Sequence, residues 1–310
     1  MTFVSASGDI QVKSVLIATD FSEASEKALR HAIAIARHYG AKLYLAHVVS
    51  SLGFTMVGPD AVAQASDIVW RDARELEHRL IQSGALSALP HEVIVRDGNV
   101  WDELDQIIDE QQIELVVIGT HARRGLGKLL LGSVAEHIFR HADCLVLTVG
   151  PGSLPDSPVG STRAIRPFLF ATDFSQASLC ALPYAISAAN HFGTQLVLLH
   201  VISDFPMPRG VDWPSANDVI QMRENARVSS LRRLEDLTSQ SLKLSITPEC
   251  VVEFGEPADK ILEVAKTVQS DAIVLGLHRT TRIGAVSHMP WAAAYEVVCG
   301  ACCSVLTVRN

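Results

Sequence analysis

The stretch LIATDFSEAS, Leu16–Ser25, decides how this chain is organised, because it returns as LFATDFSQAS at Leu169–Ser178. Eight of the ten letters agree, and the stretch is not of low complexity. A chance match of this kind is improbable, so the repeat indicates a duplicated domain. The rest of the sequence has to show whether both copies perform the same task.

Further matching segments extend the repeat beyond this stretch. His47–Val48 returns as His200–Val201, 153 positions later, and Cys144 in CLVLTV returns as Cys303 in CSVLTV, 159 positions later. The order of the segments is kept, and the offset drifts only by short insertions. The repeat therefore covers nearly the whole chain.

The domain boundaries follow from the repeat and from the length. A chain of 310 residues favours about two domains of roughly 150 residues each. The segment Gly150–Arg163, GPGSLPDSPVGSTR, is rich in glycine, proline and serine, as is typical of a linker. We therefore expect a first domain at residues 1–150 and a second at residues 164–310.

Composition limits the class of protein. Apolar residues make up 48% and charged residues 19% of the chain, which is typical of a packed globular protein. The net charge of −8 at pH 7 argues against nucleic acid or an anionic membrane as a partner. The sequence shows no signal-peptide pattern and no apolar run of about 18 residues, so we expect no membrane partner. Six unevenly placed cysteines favour the reducing cytoplasm as the location.

Each copy reads as alternating strands and helices. In the first copy the apolar run SVLIATD predicts a buried strand, and the following helix is expected to begin at Ser22 and end near Gly40. The alternation continues to CLVLTVG and repeats in the second copy. Such alternation predicts a parallel sheet with helices on both faces. Ligands of these folds bind at the carboxyl ends of the strands, where the strand order reverses.

The segment GTHARRGLGKLLLGSVAEHI, residues 119–138, follows one of these strand ends. Its glycines permit close approach to the backbone, and the helix that opens at Gly132–Ser133 offers unpaired N–H groups to an anion. It is neither a Walker A loop nor a GxGxxG fingerprint. Two interpretations stay open on the residues alone: a phosphate cradle, or a glycine-rich connection with the solvated charges of Arg123, Arg124 and Lys128.

The segment resembles the universal stress protein family. The family's signature is glycine, two residues, glycine, nine residues, then glycine and serine or threonine, and the first copy reads Gly119, Ala122, Gly132–Ser133. The stretches ATDFSEAS and LAHVV are similar to the family as well. The resemblance implies two tandem, open, five-stranded parallel sheets of the adenine-nucleotide alpha-hydrolase-like type, a Rossmann-type three-layer α/β fold. It also implies an adenine nucleotide as ligand, which some members bind and others do not.

Nine positions of the first copy are identified through the resemblance as nucleotide-binding. Asp20 is expected on the ribose or adenine side, the backbone of Val48 at adenine and Gly119 at ribose. The loop from Ala122 to Ser133 is expected to hold the phosphates, with the N–H of Val134 as a further donor. An acceptor carboxylate at a strand end also suits ribose hydroxyls on chemical grounds. Ala122 departs from the signature, and a positive φ there would cost about 1–2 kcal/mol. The full set is Thr19, Asp20, Val48, Gly119, Ala122, Arg123, Gly132, Ser133 and Val134.

The second copy keeps only part of this pattern. It retains Asp173, His200–Val201 and Gly276, but Arg279 replaces the second glycine of the signature. Depending on the gap, Met289–Pro290 or Trp291–Ala292 stands in place of the glycine and serine. Proline removes a backbone donor, and a bulky side chain would fill the phosphate space. The second copy is therefore expected to bind no triphosphate.

The functional prediction is a cytoplasmic stress-response regulator that binds ATP or a related adenine nucleotide in its first domain, with Mg²⁺ accompanying the phosphates. Hydrolysis is expected to be slow at most, because no catalytic residue can be assigned. The alternative is a nucleotide-free dimerisation or interaction module with the same fold. We also expect the two copies to pair through their last strands as an internal pseudo-dimer, with a homodimer as a further assembly. His47 and His200 are interpreted as satisfied, partly buried imidazoles and not as catalytic residues. The CxxCC group of Cys299, Cys302 and Cys303 is interpreted as ordinary apolar packing and not as a metal site.

Overall fold

The computed structural model describes residues 10–50, 59–120, 131–153, 165–203, 215–239, 247–278 and 291–309. The chain divides into two compact units, Met1–Asp156 and Ser157–Asn310. Ala122 and Arg123 lie outside the described residues, as does most of the segment that carries the glycine-rich signature. None of the helices in the described ranges combines the length and the hydropathy needed to cross a lipid bilayer.

Unit 1 is an open parallel sheet connected by helices. The sheet order is β3-β2-β1-β4-β5, and every pairing between these strands is parallel. The order reverses between β1 and β4, which makes their carboxyl ends the expected ligand position. The elements are β1 Ser14–Ala18, α1 Glu23–Tyr39, β2 Lys42–Ser50, α2 Pro59–Gln82, β3 His91–Gly98, α3 Val100–Glu110, β4 Leu115–Gly119, α4 Ser133–His141 and β5 Leu145–Val149.

Unit 2 repeats this topology. Its order is β8-β7-β6-β9-β10, again with parallel pairings, and the order reverses between β6 and β9. The predicted fold class, with one five-stranded parallel α/β sheet in each copy, is confirmed. The elements are β6 Phe168–Ala171, α5 Gln176–Leu179, α6 Leu182–Phe192, β7 Leu196–Ile202, α7 Ala216–Ser239, β8 Glu249–Phe254, α8 Pro257–Thr267, β9 Ala272–Leu277, α9 Trp291–Gly300 and β10 Ser304–Arg309.

The first helix of unit 1 has the ends that its sequence predicts. The side chain of Ser22 accepts a hydrogen bond from the backbone N–H of Ser25, and Gly40 closes the helix with a left-handed φ of 63°. Ala28, Ala32 and the other small residues of one face are buried against the sheet. The two caps therefore set the first and last residues of α1, and the small residues determine which face of the helix packs on the sheet.

The corresponding helix of unit 2 is broken, which the sequence analysis did not predict. It is divided into α5 and α6, with Pro183 in the first turn of α6. Proline has no N–H to donate to the carbonyl four residues earlier, and its ring collides with that carbonyl. The N–H of Ala181 instead bonds the carbonyl oxygen of Ser178 at 3.1 Å, three residues back. The cap of the first turn is nonetheless the same as in unit 1, because the side chain of Ser175 accepts a hydrogen bond from the backbone N–H of Ser178.

Candidate functional site

The turn between β1 and α1 is a closed hydrogen-bonded unit. The N–H of Phe21 donates to Oγ1 of Thr19 at 3.1 Å, and the N–H of Ser22 donates to Oδ1 of Asp20 at 3.0 Å. Phe21 has a φ of 59°, a conformation that non-glycine residues rarely adopt. The two side chains of Thr19 and Asp20 therefore hold a strained turn at the end of β1.

Unit 2 contains the same turn with the same bonds. The N–H of Phe174 donates to Oγ1 of Thr172 at 2.9 Å, and the N–H of Ser175 donates to Oδ1 of Asp173 at 2.9 Å. The φ of Phe174 is 62°. The repeated sequence ATDFS is thus explained by the turn it forms, because Thr, Asp and Ser each supply a bond that the turn requires. Its presence in both copies does not by itself mark two ligand sites.

His47 and His200 are bound in place beside these turns. The Nδ1–H of His47 donates to the carbonyl oxygen of Thr19 at 2.6 Å, and the ring stacks on Phe21 with centroids 4.7 Å apart. His200 makes the equivalent bond to Thr172 at 2.8 Å. The interpretation of both as satisfied, partly buried imidazoles is confirmed.

Gly119 is required by packing at the end of β4. A Cβ built at Gly119 would collide with the carbonyl oxygen of Ala24 in α1 and lie 2.6 Å from its carbonyl carbon. At Gly276 a Cβ would collide with the carbonyl oxygen of Ala177 and lie 2.5 Å from the Cα of Ser178. The first glycine of the signature therefore lets a helix approach the sheet closely in both copies. Its contact with ribose stays a prediction.

Gly132, at the start of α4, differs from Gly119 because it is not in close contact with another element among the described residues. Its φ of −60° and ψ of 156° are open to any residue, and it brings no side-chain cap to the helix. No described residue lies within 4 Å of a Cβ built there. Ser133 is exposed and Val134 half-buried, so the first N–H groups of α4 lie at the surface. Within the part of the chain that the structure describes, neither the backbone conformation nor packing requires glycine at position 132.

The topology brings the expected residues of β1, β2 and β4 to one edge. Ile17 pairs with Val117, so Thr19 and Gly119 both lie two residues beyond that pair. The N–H of Thr19 bonds the carbonyl oxygen of Ala46, two residues before Val48. Helices of a parallel α/β fold run opposite to the strands, which directs the start of α4 to the same edge.

Unit 2 has an open cleft at its own carboxyl edge, with a volume of about 540 Å³. It lies where β6, β7, α8 and α9 meet. Asp173 was singled out from the sequence, but the other acidic side chains were not, because they stand far apart along the chain. The acidic side chains of the lining are Asp173, Glu256, Asp259 and Glu296.

Comparisons with known proteins place this architecture in one family. The Universal stress protein family matches residues 11–150 and again residues 164–309. A universal stress protein of Mycolicibacterium smegmatis is 30% identical over 272 residues, which span 85% of this chain and 86% of the relative. One from Methanocaldococcus jannaschii is 28% identical over 143 residues, or 46% of this chain and 84% of the relative.

A solved structure shows the same fold over nearly the whole chain. The crystal structure of a universal stress protein from Archaeoglobus fulgidus covers 97% of this chain and 99% of its own, with a TM-score of 0.64 at 20% identity. The profile match extends over both copies and over most of the chain. The chain therefore belongs to the universal stress protein family and carries two domains of that family in tandem.

Proposed function

We propose that unit 1 binds ATP or a related adenine nucleotide at the carboxyl edge of its sheet, and that binding serves a stress-response regulatory role. The observation that carries the proposal is Gly132. Glycine is needed there neither for the backbone conformation nor for packing among the described residues. Close approach of a phosphate to the helix tip supplies the missing reason.

The phosphates would be held by the start of α4. The N–H groups of Ser133 and Val134 belong to the first turn, which has no intrahelical acceptors. The helix end carries roughly half a positive charge, and such an end contributes about 0.3–1 kcal/mol towards an anion at the surface. The hydroxyl of Ser133 adds a further donor. The arginines of the preceding segment, Arg123 among them, would add charge.

The nucleoside would lie across the ends of β1 and β2. Asp20 is exposed at this edge, and its carboxylate is an acceptor suited to ribose hydroxyls. Val48 would offer its backbone to adenine. Among the described residues no group of three or more His, Cys, Asp or Glu is arranged to hold a metal ion. Mg²⁺ would therefore enter with the phosphates, as it commonly does.

A titration of ATP against wild type and Gly132→Trp tests the proposal. The variant keeps an allowed backbone conformation at position 132 and fills the space in front of the helix tip. We expect ATP affinity to fall about tenfold or more, since bonds to a charged phosphate are lost, while thermal unfolding stays unchanged. Gly132→Ala is the small matched control. Equal ATP affinity in wild type and Gly132→Trp would refute the site.

A second experiment separates this proposal from a nucleotide-free interaction module. Protein purified without added nucleotide is denatured, and the released small molecules are identified by mass spectrometry. Adenine nucleotide at a substantial fraction of the protein concentration supports the proposal. Slow hydrolysis at most, pairing of the two copies, a homodimer and a cytoplasmic location stay predictions.

A further inference from the structure

One histidine of unit 1 joins the first turns of α3 to α4. The ring of His137 lies edge-to-face against the ring of Trp101, with centroids 4.6 Å apart. Its Nε2–H donates to Oδ2 of Asp105, one turn further along α3, at 3.2 Å. The side chain of His137 is 20% exposed. It is therefore held by two contacts from the neighbouring helix and is still reached by solvent.

His137 lies on the same face of α4 as Ser133, a residue of the proposed phosphate site. The two residues are four positions apart, and residues at this spacing are neighbours on a helix surface. Helical side chains lean towards the N-terminus of their helix, over the preceding turn. The imidazole is therefore placed beside the first turn of α4, whose N–H groups have no intrahelical acceptors.

The corresponding positions of unit 2 line the cleft at the carboxyl edge. The strands CLVLTV and CSVLTV are offset by 159 positions, so His137 corresponds to Glu296 and Ser133 to Ala292. Both Glu296 and Ala292 belong to the lining of the cleft. Because the two units share one fold, we expect His137 and Ser133 to face the same edge in unit 1.

The residue at this position differs in charge between the two copies. The carboxylate of Glu296 repels a phosphate, whereas an imidazolium attracts one. A charged histidine donates from both ring nitrogens, so Nδ1–H can bond a phosphate oxygen while Nε2–H stays on Asp105. Hydrogen bonds between ionised groups are roughly twice as strong as those between neutral groups. A phosphate at the start of α4 would therefore be stabilised by histidine and repelled by glutamate.

We propose that His137 contacts the phosphates of the unit 1 ligand and makes this site prefer ATP to adenosine. Asp105 is the positioning residue that holds the imidazole ring. The inference rests on the proposed function of unit 1 and adds to it a residue outside the glycine signature. The start of α4 supplies backbone donors, and His137 supplies a positively charged side chain beside them. Glutamate at the equivalent position gives unit 2 the opposite preference.

Isothermal titration of the full-length protein with ATP and with adenosine tests this proposal. The titrations are made at about pH 6, at which an ordinary histidine is largely charged. His137→Phe keeps an aromatic ring against Trp101 and removes both nitrogens. We expect its ATP affinity to fall about tenfold or more, because a bond to a charged phosphate is lost. Its adenosine affinity should stay that of wild type.

A matched control is available one turn further along the same helix. His141 is exposed, and its ring lies 4.4 Å from that of His137. His141→Phe makes the same substitution farther from the start of α4 and should leave the ATP affinity unchanged. His137→Glu introduces the residue of unit 2, and it should lower the ATP affinity more than His137→Phe does. Thermal unfolding of each variant shows that the fold is retained.

The role of Asp105 is tested by two substitutions. Asp105→Ala should lower the ATP affinity about two- to fivefold, whereas Asp105→Asn keeps an oxygen that accepts from Nε2–H and should restore most of it. Equal losses of ATP and adenosine affinity in Asp105→Ala would show a merely structural role.

The outcomes separate this inference from the proposed function. If wild type binds ATP and His137→Phe binds it equally well, or loses ATP and adenosine affinity alike, the inference on His137 is wrong and the nucleotide site stands. If wild type binds no ATP, the proposed function is refuted, and the inference that rests on it falls as well.

Discussion

Alanine at Gly119 should destabilise unit 1 strongly. The added methyl group would collide with the carbonyl oxygen of Ala24 and lie 2.6 Å from its carbonyl carbon. Both atoms belong to backbone at the start of α1, so relief requires the helix to move away from β4. Overpacking of a core lowers the free energy of unfolding by about 1–3 kcal/mol. Because the colliding atoms are backbone and cannot rotate away, we expect a loss of about 3 kcal/mol for Gly119→Ala.

The magnitude can be measured as a change in melting temperature. For a domain of about 150 residues, 1 kcal/mol corresponds to about 2–4 °C, so Gly119→Ala should melt about 6–12 °C below wild type. Differential scanning calorimetry on the full chain follows this shift. Gly276→Ala should show a similar loss in unit 2, because a Cβ there meets Ala177 and Ser178 at comparably short distances.

Gly132→Ala is the matched control within the same signature. No described residue obstructs a Cβ at position 132, and the backbone there is in an ordinary extended conformation. Replacing such a glycine gains about 0.4–1 kcal/mol through the unfolded chain. Alanine is a poorer N-cap residue than glycine, which offsets this gain, so the melting temperature should stay close to that of wild type. If Gly119→Ala were as harmless as Gly132→Ala, the assignment of Gly119 to helix packing would be wrong.

Two further predictions concern titrating groups of unit 2. Burial lowers the pKa of His200, although its hydrogen bond to Thr172 acts in the opposite direction. In the unfolded chain a histidine has a pKa of about 6.5. As the pH falls, the unfolded protein is therefore protonated at this residue before the folded protein is. Unit 2 should lose stability as the pH falls below about 6.5. The free energy of unfolding, measured in urea at several pH values, should show a smaller loss in His200→Gln than in wild type. The same pH dependence in both proteins would contradict the prediction. Burial raises the pKa of the Cys303 thiol to about 12, while Cys302 is exposed. At about pH 8, iodoacetamide should label Cys302 in the native protein and Cys303 only after unfolding. Mass spectrometry measures the label on each cysteine, and equal labelling of the two in the native protein would contradict the prediction.

The fold could be predicted because its signals are local. Strands such as β1 and β4 are short apolar runs buried on both faces, and Ser22 and Gly40 mark the two ends of α1 within the sequence itself. The fold of the second unit could then be predicted from the repeat, because the same segments return in the same order. The division of α5 from α6 was also visible in principle, because Pro183 stands inside the helical pattern.

The role of Gly119 could not be predicted from the same signals. The family signature assigns it to a ligand, while the close approach of α1 depends on Ala24, 95 positions earlier in the chain. The cleft of unit 2 was missed for a related reason. Its acidic residues come from the end of β6, the start of α8 and the first turns of α9, and only the fold brings them together.

The first turn and the packing glycine are alike in the two copies, whereas the starts of later helices differ. The turn bonds and the packing glycine are the same in unit 1 and unit 2, so each copy can form its sheet and its first helix whatever stands at the later helix ends. Substitutions at those helix ends change charge and shape at the carboxyl edge without removing a bond that the turn needs. A duplicated domain of this kind can therefore change the charge at its carboxyl edge while its fold is retained, and the two copies differ in this way at Asn99 against Glu256 and at His137 against Glu296.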